Sequence, residues 1–276
     1  MRPDQRVPQL THRGGDDRAW AAGSPIGTAD ALELLRDGEL EVIGRVREAS
    51  NVVLLCEISV GATDADEDRP TFHAAYKPVR GERPLDDFPH GSLAAREEAA
   101  WWVSEALGWS IVPETVLRDG PYGTGMVQRF VDHDPDDHYF TLLEAHMEEF
   151  ERFAAFDVLA NNADRKGGHC LLGTRDGHVW GIDHGLTFHI ADKLRTVIWD
   201  FAGDRVPDGV RSTVECVRTE LDGPLGSRLG DLGSRLEGLL SDREIEALRA
   251  RAQRLLADGT LPLPDPYSHI IPWPPF

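Results

Sequence analysis

Cysteine, basic side chains and long apolar runs are all scarce in this sequence. The three cysteines, Cys56, Cys170 and Cys216, are far apart and lack zinc-type spacing, which favours reduced thiols over a disulfide framework. Only 29 lysines and arginines oppose 48 acidic residues, and the net charge of -19 argues against nucleic-acid binding and against docking to anionic lipid. No stretch approaches the roughly 18 apolar residues of a membrane span, and no apolar segment of signal-peptide type is present at the N-terminus. We therefore expect a cytoplasmic protein without integral membrane association.

The 276 residues, 41% of them hydrophobic, are enough for one large domain or two small ones. Apolar periodicity, caps and turn residues predict one helix and three hairpin-connected strands early in the chain, then a second helix and two more strands. Sequential strands with short connections form an antiparallel sheet. The expected segments are a mobile arm at 1–25, a β-rich part at 26–131, a helical part at 132–260 and a Pro-rich tail at 261–276.

Two aspartates with a predicted hairpin between them are the main feature of the second half of the chain. A long predicted helix over 141–161, with an inward stripe that includes Leu143 and Met147, leads into a loop that contains Asp164. Two short strands then flank an Asp-Gly turn and end at Asp183. The hairpin returns the chain, so we expect the two carboxylates to face each other.

This spacing suits phosphoryl transfer. One carboxylate, Asp164, would orient the attacking hydroxyl, and the cations Arg165 and Lys166 would offset charge on the transferred group. The other carboxylate, Asp183, would hold the metal ion that bridges the phosphates, with His169 as a second ligand. Taken singly, each aspartate is more typical of a solvated loop; the ordered set is what favours a site.

Upstream residues supply the parts that would hold a nucleotide. Lys77 ends the third predicted strand, where kinase-type folds place a phosphate-binding lysine. A turn containing Ser50 would cover the phosphates, although it lacks a glycine-rich pattern. Glu97 and Glu98 begin the second helix; either one could pair with Lys77. The segment expected to link the two lobes and to bond adenine consists of Gln128, Arg129, Phe130 and Val131.

With these residues located, the chain resembles the phosphatidylinositol 3-/4-kinase-related branch of the protein-kinase-like fold, most closely the type II phosphatidylinositol 4-kinases and a related bacterial family. The motifs that carry the resemblance are AYKPV, REEAAWWVSEALGWSIVPET, GTGMVQRFV, NNADRKGGH and GIDHGLTF. They run from Lys77 to Phe188, roughly two fifths of the chain. The resemblance implies an α+β, two-lobed protein-kinase-like fold with an antiparallel β-rich N-lobe and a mainly helical C-lobe.

The resemblance also implies ATP and Mg²⁺ or Mn²⁺ as cofactors, with Lys77 as the ATP lysine and Glu97 as its partner. It assigns Asp164 as the catalytic aspartate, Asp183 as the metal-binding aspartate, and the segment from Gln128 as the hinge. His169 departs from the family, which has asparagine there. Because Mg²⁺ prefers oxygen ligands and Mn²⁺ accepts both, this histidine bears on the choice of metal.

The leading hypothesis is an ATP-dependent kinase whose unknown hydroxyl acceptor is a protein or small molecule rather than a lipid. A nucleotide-binding pseudokinase with a regulatory role and an enzyme that transfers AMP are the alternatives. A metal hydrolase built from His169, Asp183, His184 and His189 is a further alternative.

Overall fold

The computed structural model describes residues 9–10, 27–46, 51–59, 72–222 and 231–276. Two units are distinguished by their internal contacts. The first comprises the described residues of Met1–Ala94 and Pro113–Asp132, and the second comprises those of Ala95–Val112 and His133–Phe276. Of the predicted arm at 1–25, all but Gln9 and Leu10 lies outside the described residues.

The first unit is built on one sheet, to which six strands contribute within the described residues. The strands are β1 Gln9–Leu10, β2 Glu39–Val46, β3 Val53–Ser59, β4 Phe72–Pro78, β5 Thr115–Gly120 and β6 Gly123–Arg129. Their order is β1-β2-β3-β4-β6-β5, in which β1 runs parallel to β2 and every other pair is antiparallel. The sequential strands β2, β3 and β4 are neighbours, as are β5 and β6, whereas β6 lies between β4 and β5.

The helix α1, Thr28–Asp37, covers one face of this sheet. Its buried side chains Ala31 and Leu35 are 0% exposed, and Leu35 packs in a cluster with strand residues that include Cys56 and Tyr76. Alternate residues of a strand point to opposite faces, so each strand contributes every second side chain to this core. Gly125 in β6 permits a close approach, because a Cβ at that position would lie 2.5 Å from the Lys77 carbonyl oxygen.

The second unit is mainly helical. Its helices are α2 Leu93–Leu107 (from Ala95 onward), α3 Tyr139–Leu142, α4 Met147–Ala160, α5 Asp208–Glu220, α6 Asp231–Leu236 and α7 Asp242–Asp258. A short hairpin, β7 Cys170–Leu172 paired with β8 Val179–Gly181, follows α4 in the chain. The α4 side chains Phe150, Phe153 and Phe156 are buried at the centre of this unit.

The single long helix predicted over 141–161 is two helices, α3 and α4. Between them His146 has a non-helical backbone with ψ of 38°, and Met147, expected to face inward, is 51% exposed. The inward stripe holds only from Phe150 onward. A hydrophobic period shows which residues face a core, but it does not detect a break in the backbone that leaves the period almost in phase.

Helix α7 begins with the predicted capping box. The Ser241 N–H donates to Glu244 Oε2 at 2.8 Å, and the Ser241 hydroxyl contacts the same oxygen at 2.7 Å. Helix α5 packs on α7. The residues at 261–276 form neither helix nor strand, as their proline content predicts.

The α+β class expected from the sequence is confirmed, with an antiparallel β-rich first unit and a helical second unit. Cys56 and Cys170 are buried and Cys216 is exposed, each as a free thiol. Among the described residues, no helix combines the length and the hydrophobicity needed to cross a bilayer.

Candidate active site

Lys77 lies on β4, the third strand of the antiparallel meander, on the face of the sheet that points away from the core. Ala74 and Tyr76 are fully buried, whereas Ala75 and Lys77 are only partly buried. This alternation follows from the two-residue period of a strand. The structure therefore places Lys77 on the strand expected for it, while Ser50 lies outside the described residues.

The predicted hinge consists of Gln128, Arg129, Phe130 and Val131. The Gln128 side chain is 3% exposed and faces the interior of its unit. The Arg129 N–H donates to the Glu114 carbonyl at 2.8 Å, and the Phe130 N–H donates to the His73 carbonyl at 2.9 Å. These two donors are therefore engaged within the first unit, so an adenine cannot bond to them in this arrangement.

Two asparagines shape the loop that follows α4. Asn161 adopts a left-handed backbone with φ of 51°, and its amide donates to the His189 carbonyl at 3.0 Å. The Asn162 amide donates to Asp157 Oδ1 at 3.1 Å, and its oxygen accepts the Asp164 N–H at 3.0 Å. Asparagine tolerates the left-handed region and bonds the local backbone, so these residues turn the chain sharply and fix the position of Asp164.

Asp164 and Lys166 form a partly buried ion pair. Lys166 Nζ lies 3.4 Å from Asp164 Oδ2, and the two side chains are 16% and 27% exposed. Burial raises the pKa of the Asp164 carboxyl above its ordinary value; the Lys166 ammonium opposes this rise, and the charge of Asp183 adds to it. A general base works best when its pKa is close to the working pH, so the raised pKa suits Asp164 to accept a hydroxyl proton.

Asp183 and His169 form the second contact of the site. His169 Nε2 lies 3.4 Å from Asp183 Oδ2, and the other ring nitrogen, Nδ1, lies 3.4 Å from the Lys166 backbone nitrogen. The Asp183 side chain is 47% exposed, and its φ of 60° lies in the left-handed region. Such a backbone costs a residue other than glycine about 1–2 kcal/mol, and strain of this kind is concentrated at functional sites.

Arg165, expected to be a catalytic cation, lies instead in the interior at 0% exposed. Its guanidinium donates to both Asp157 carboxylate oxygens at 3.1 Å, to the Ile182 carbonyl at 3.1 Å and to His184 Nε2 at 2.6 Å. Burial alone would lower the pKa of Arg165, but the Asp157 carboxylate and other neighbouring groups together raise that pKa above its ordinary value. Arg165 thus joins α4 and the Asp164 loop to the Asp183 segment, which is a positioning role.

The two helix glutamates left open by the sequence have different surroundings. Glu97 is 2% exposed, and its Oε2 accepts the His184 N–H at 2.8 Å. Glu98 accepts the Trp102 indole N–H at 3.2 Å, one helical turn further along α2. Glu97 therefore holds the residue that follows Asp183, which associates it rather than Glu98 with the site.

A metal ion would find a partial set of ligands here. In the described part of the chain, no three His, Cys, Asp or Glu side chains lie close enough together to hold a metal ion. A nucleotide-bound Mg²⁺ does not need such a group, because it keeps several waters and binds one or two carboxylates plus the phosphates. Asp183 fits that requirement, and the His169 imidazole suits Mn²⁺ better than Mg²⁺.

His184 does not belong to a metal site. It is 0% exposed, and its Nε2 is within 2.6 Å of Arg165, which has only donors, so this nitrogen must accept. The Nε2 atom of His184 is therefore already engaged. This occupancy argues against the metal-hydrolase alternative, which needs His184 as a ligand.

Asp157 and Asn162 were missed as site residues by the sequence reasoning. Asp157 is fully buried in α4 within the run FAAFDVLA, where every neighbour is apolar. An acidic residue is almost never fully buried unless it is paired. A single acidic residue inside an apolar helical run was therefore the sequence feature that could have identified Asp157, because it predicts a buried cation nearby.

Comparisons with known proteins bear on the family and the fold of this chain. The family model of phosphatidylinositol 3- and 4-kinase matches residues 112–219, a range that includes both Asp164 and Asp183. Protein Rv2133c of Mycobacterium tuberculosis is 42% identical over 282 residues, which cover 90% of this chain and 96% of that protein.

Two solved structures are also similar. The structure of hydra Fam20 with sugar aligns with a TM-score of 0.50 at 13% identity and covers 92% of each chain. The Helicobacter pylori proinflammatory kinase CtkA aligns with a TM-score of 0.46 at 11% identity, over 82% of this chain and 94% of that chain. At this identity, the likeness to Fam20 concerns the fold alone.

Proposed function

The chain belongs to the phosphatidylinositol 3- and 4-kinase-related family of protein-kinase-like proteins, and on this basis we propose that it is an ATP-dependent phosphotransferase. The resemblance inferred from the sequence motifs is thus confirmed. The observation that carries the proposal is a pair of side-chain contacts in the second unit, Lys166 with Asp164 and His169 with Asp183, each at 3.4 Å. Phosphoryl transfer uses a carboxylate that orients the acceptor, a cation that offsets phosphate charge and a carboxylate that holds the metal ion, and Asp164, Lys166 and Asp183 are suited to these three roles.

In this proposal Asp164 orients the acceptor hydroxyl and takes its proton. The raised pKa of its carboxyl supports that role. Lys166 stabilises the negative charge of the transferred phosphoryl group. Lys77 binds the ATP phosphates, as its place on the third strand and the family resemblance both favour, and Glu97 and Arg165 hold the metal-binding segment in position.

Asp183 and His169 are the residues that would hold a divalent metal ion. Such an ion neutralises phosphate charge in phosphoryl transfer. Asp183 is held for this purpose by its neighbours, because the next residue, His184, is fixed by Glu97 and Arg165. The carboxylate is therefore presented by a rigid backbone segment.

We infer that the acceptor is a protein or a small molecule rather than a lipid. A net charge of -19 would repel the chain from an anionic membrane surface. Incubation with labelled ATP and either a cell lysate or anionic vesicles distinguishes a protein or small-molecule acceptor from a lipid acceptor. Label in the lipid fraction would contradict this inference.

The decisive test follows the γ-phosphate of labelled ATP in Mg²⁺ and in Mn²⁺. Asp183→Ala should abolish release or transfer of this phosphate, because the metal ligand is lost, while the fold is retained by circular dichroism. Asp136→Asn, which changes an exposed carboxylate elsewhere in the same unit, is the matched control and should keep wild-type activity. Full activity in Asp183→Ala would refute the assignment.

A second candidate, nucleotide binding without transfer, is favoured by the contact between His169 and Asp183, because the imidazole already lies beside the carboxylate that would bind metal. ATP would then raise the melting temperature without any turnover. AMP transfer is distinguished in the same assay by label position, because α-labelled rather than γ-labelled ATP would mark the product.

A further inference from the structure

The residues at 261–276, which we call the C-terminal tail, accept hydrogen bonds from two places. One is the loop that contains Asp164 and Gly167, which we call the catalytic loop, and the other is a segment next to that loop. The Gly167 N–H donates to the Pro275 carbonyl at 2.8 Å. Further back, the Ile270 carbonyl accepts the Thr196 N–H at 3.0 Å and the Trp199 indole N–H at 3.1 Å.

The second attachment also leads to the loop. The Arg165 N–H donates to the Arg195 carbonyl at 3.0 Å, and the Val197 N–H donates to the Arg165 carbonyl at 3.1 Å. The segment that receives Ile270 is therefore paired with the loop backbone directly after Asp164. Both ends of the last seven residues of the tail are thus tied to the catalytic loop or to its immediate neighbour.

Aromatic rings add further contacts between the tail and the residues around the catalytic loop. The Phe276 ring lies 4.6 Å from the His138 ring, measured between centroids. A Cβ on Gly167 would lie 2.7 Å from a Phe140 ring carbon and 3.4 Å from a Phe276 ring carbon, and one on Gly168 would lie 3.8 Å from Phe276. A side chain at Gly167 would therefore displace the Phe140 ring, whereas Phe276 lies at ordinary contact distance from both glycines.

This contact is adjacent to the charged groups of the site. Gly167 and Gly168 stand between Lys166, which is paired with Asp164, and His169, which contacts Asp183. The Phe140 and Phe276 rings therefore lie beside the stretch of loop that separates these two contacts.

The tail is held weakly for a segment so rich in apolar residues. Five of its large hydrophobic side chains are exposed, Leu263 at 73%, Tyr267 at 97%, Ile271 at 49%, Trp273 at 89% and Phe276 at 59%, whereas Leu261 at its start is buried. Few buried apolar contacts and a small number of backbone bonds characterise segments that open at low free energy. The tail is therefore suited to leave and rebind.

We propose that the C-terminal tail is an autoinhibitory strap that covers the acceptor side of the catalytic loop and must detach before an acceptor reaches Asp164. The proposal rests on the phosphotransferase function proposed above. It lies outside the part of the chain that the family model matches, 112–219.

The test compares Phe276→Ala with Tyr267→Ala, a tail residue that is 97% exposed and far less engaged. Water serves as the acceptor, so ATP hydrolysis is measured without knowing the natural substrate. Phe276→Ala should raise kcat about tenfold, as expected when the open form is a minor population of about a tenth or less, and leave KM for ATP unchanged. Tyr267→Ala should behave as wild type.

Hydrogen exchange provides a readout that does not depend on turnover. The backbone amides of residues 164–169 should exchange faster in Phe276→Ala than in wild type or Tyr267→Ala, because Gly167 loses its partner carbonyl when the tail leaves. Melting temperatures of all three proteins confirm that they are folded.

The outcomes separate the two proposals. If the wild type is active and the folded Phe276→Ala variant has an equal or lower kcat, the strap proposal is wrong and the phosphotransferase assignment stands. Absence of turnover in every protein would overturn the phosphotransferase and the strap together, even if the exchange rates show that the tail covers the loop. Unchanged exchange in Phe276→Ala would overturn the strap whatever the activity.

Discussion

Replacement of Asp157 by asparagine should destabilise the protein strongly, although the side chains have the same shape. Asp157 and Arg165 are both 0% exposed, and three N–O distances of 3.0–3.1 Å join the carboxylate to the guanidinium. Removal of one charge from a buried pair leaves the other charge unpaired in a medium that solvates it poorly. Such changes cost about 3–5 kcal/mol, a large part of the roughly 5–15 kcal/mol that stabilises a typical domain.

Urea denaturation followed by tryptophan fluorescence measures the free energy of unfolding of each variant. The matched control is Asp192→Asn, which removes the same charge from an exposed pair, where Arg254 Nη2 lies 3.0 Å from the carboxylate and the side chains are 58% and 67% exposed. Exposed pairs contribute about 0–1 kcal/mol, so this variant should stay close to wild type.

A double variant sharpens the interpretation. Asp157→Leu combined with Arg165→Met removes both charges, and apolar replacement of a buried pair is often neutral for stability. The double variant should therefore recover much of the loss while it remains inactive, because the Asp183 segment has lost its tie to the loop. If Asp157→Asn loses no more stability than Asp192→Asn, the idea that the Arg165 charge is desolvated is wrong.

Two further predictions concern titration and thiol reactivity. Because the pKa of Asp164 is raised, the folded state holds this proton more tightly than the unfolded state, and stability falls as pH rises through that titration. Asp164→Asn should therefore melt higher than wild type at neutral pH, and the difference should shrink on acidification; a lower melting temperature at neutral pH would contradict the sign. In the native protein only Cys216 should react with a thiol reagent, since Cys56 and Cys170 are buried and burial raises the pKa of each to about 12; rapid modification of all three thiols without denaturant would show that the two cores open.

Features coded by short patterns were predictable from the sequence. The Asp-Gly turn predicted the β7–β8 hairpin, and Ser241 with Glu244 predicted the start of α7. Lys77 was placed on the third strand because alternation and turn residues mark strands locally. Each of these signals lies within a few residues of the feature that it specifies.

The role of Arg165 could not be read in the same way. Its partner Asp157 is eight residues earlier in the chain, and its other contacts, Ile182 and His184, are 17 and 19 residues later. These groups meet only because Asn161 reverses the chain at the end of α4. An arginine beside a catalytic aspartate has the same local signature whether it faces a substrate or the core, so burial decided its role.

The backbone of Asp183 has a consequence for how this protein could lose its chemistry. At φ of 60° the position already favours glycine and asparagine, the two residues that visit that conformation most readily. Asparagine there would keep the shape of the side chain and the bonds of the neighbouring His184, yet it would remove the charge that attracts a cation. If the protein acts as the phosphotransferase proposed above, exchange of this one carboxylate for an amide would convert it into an inactive protein of the same fold, and the backbone strain at this position would not oppose the exchange.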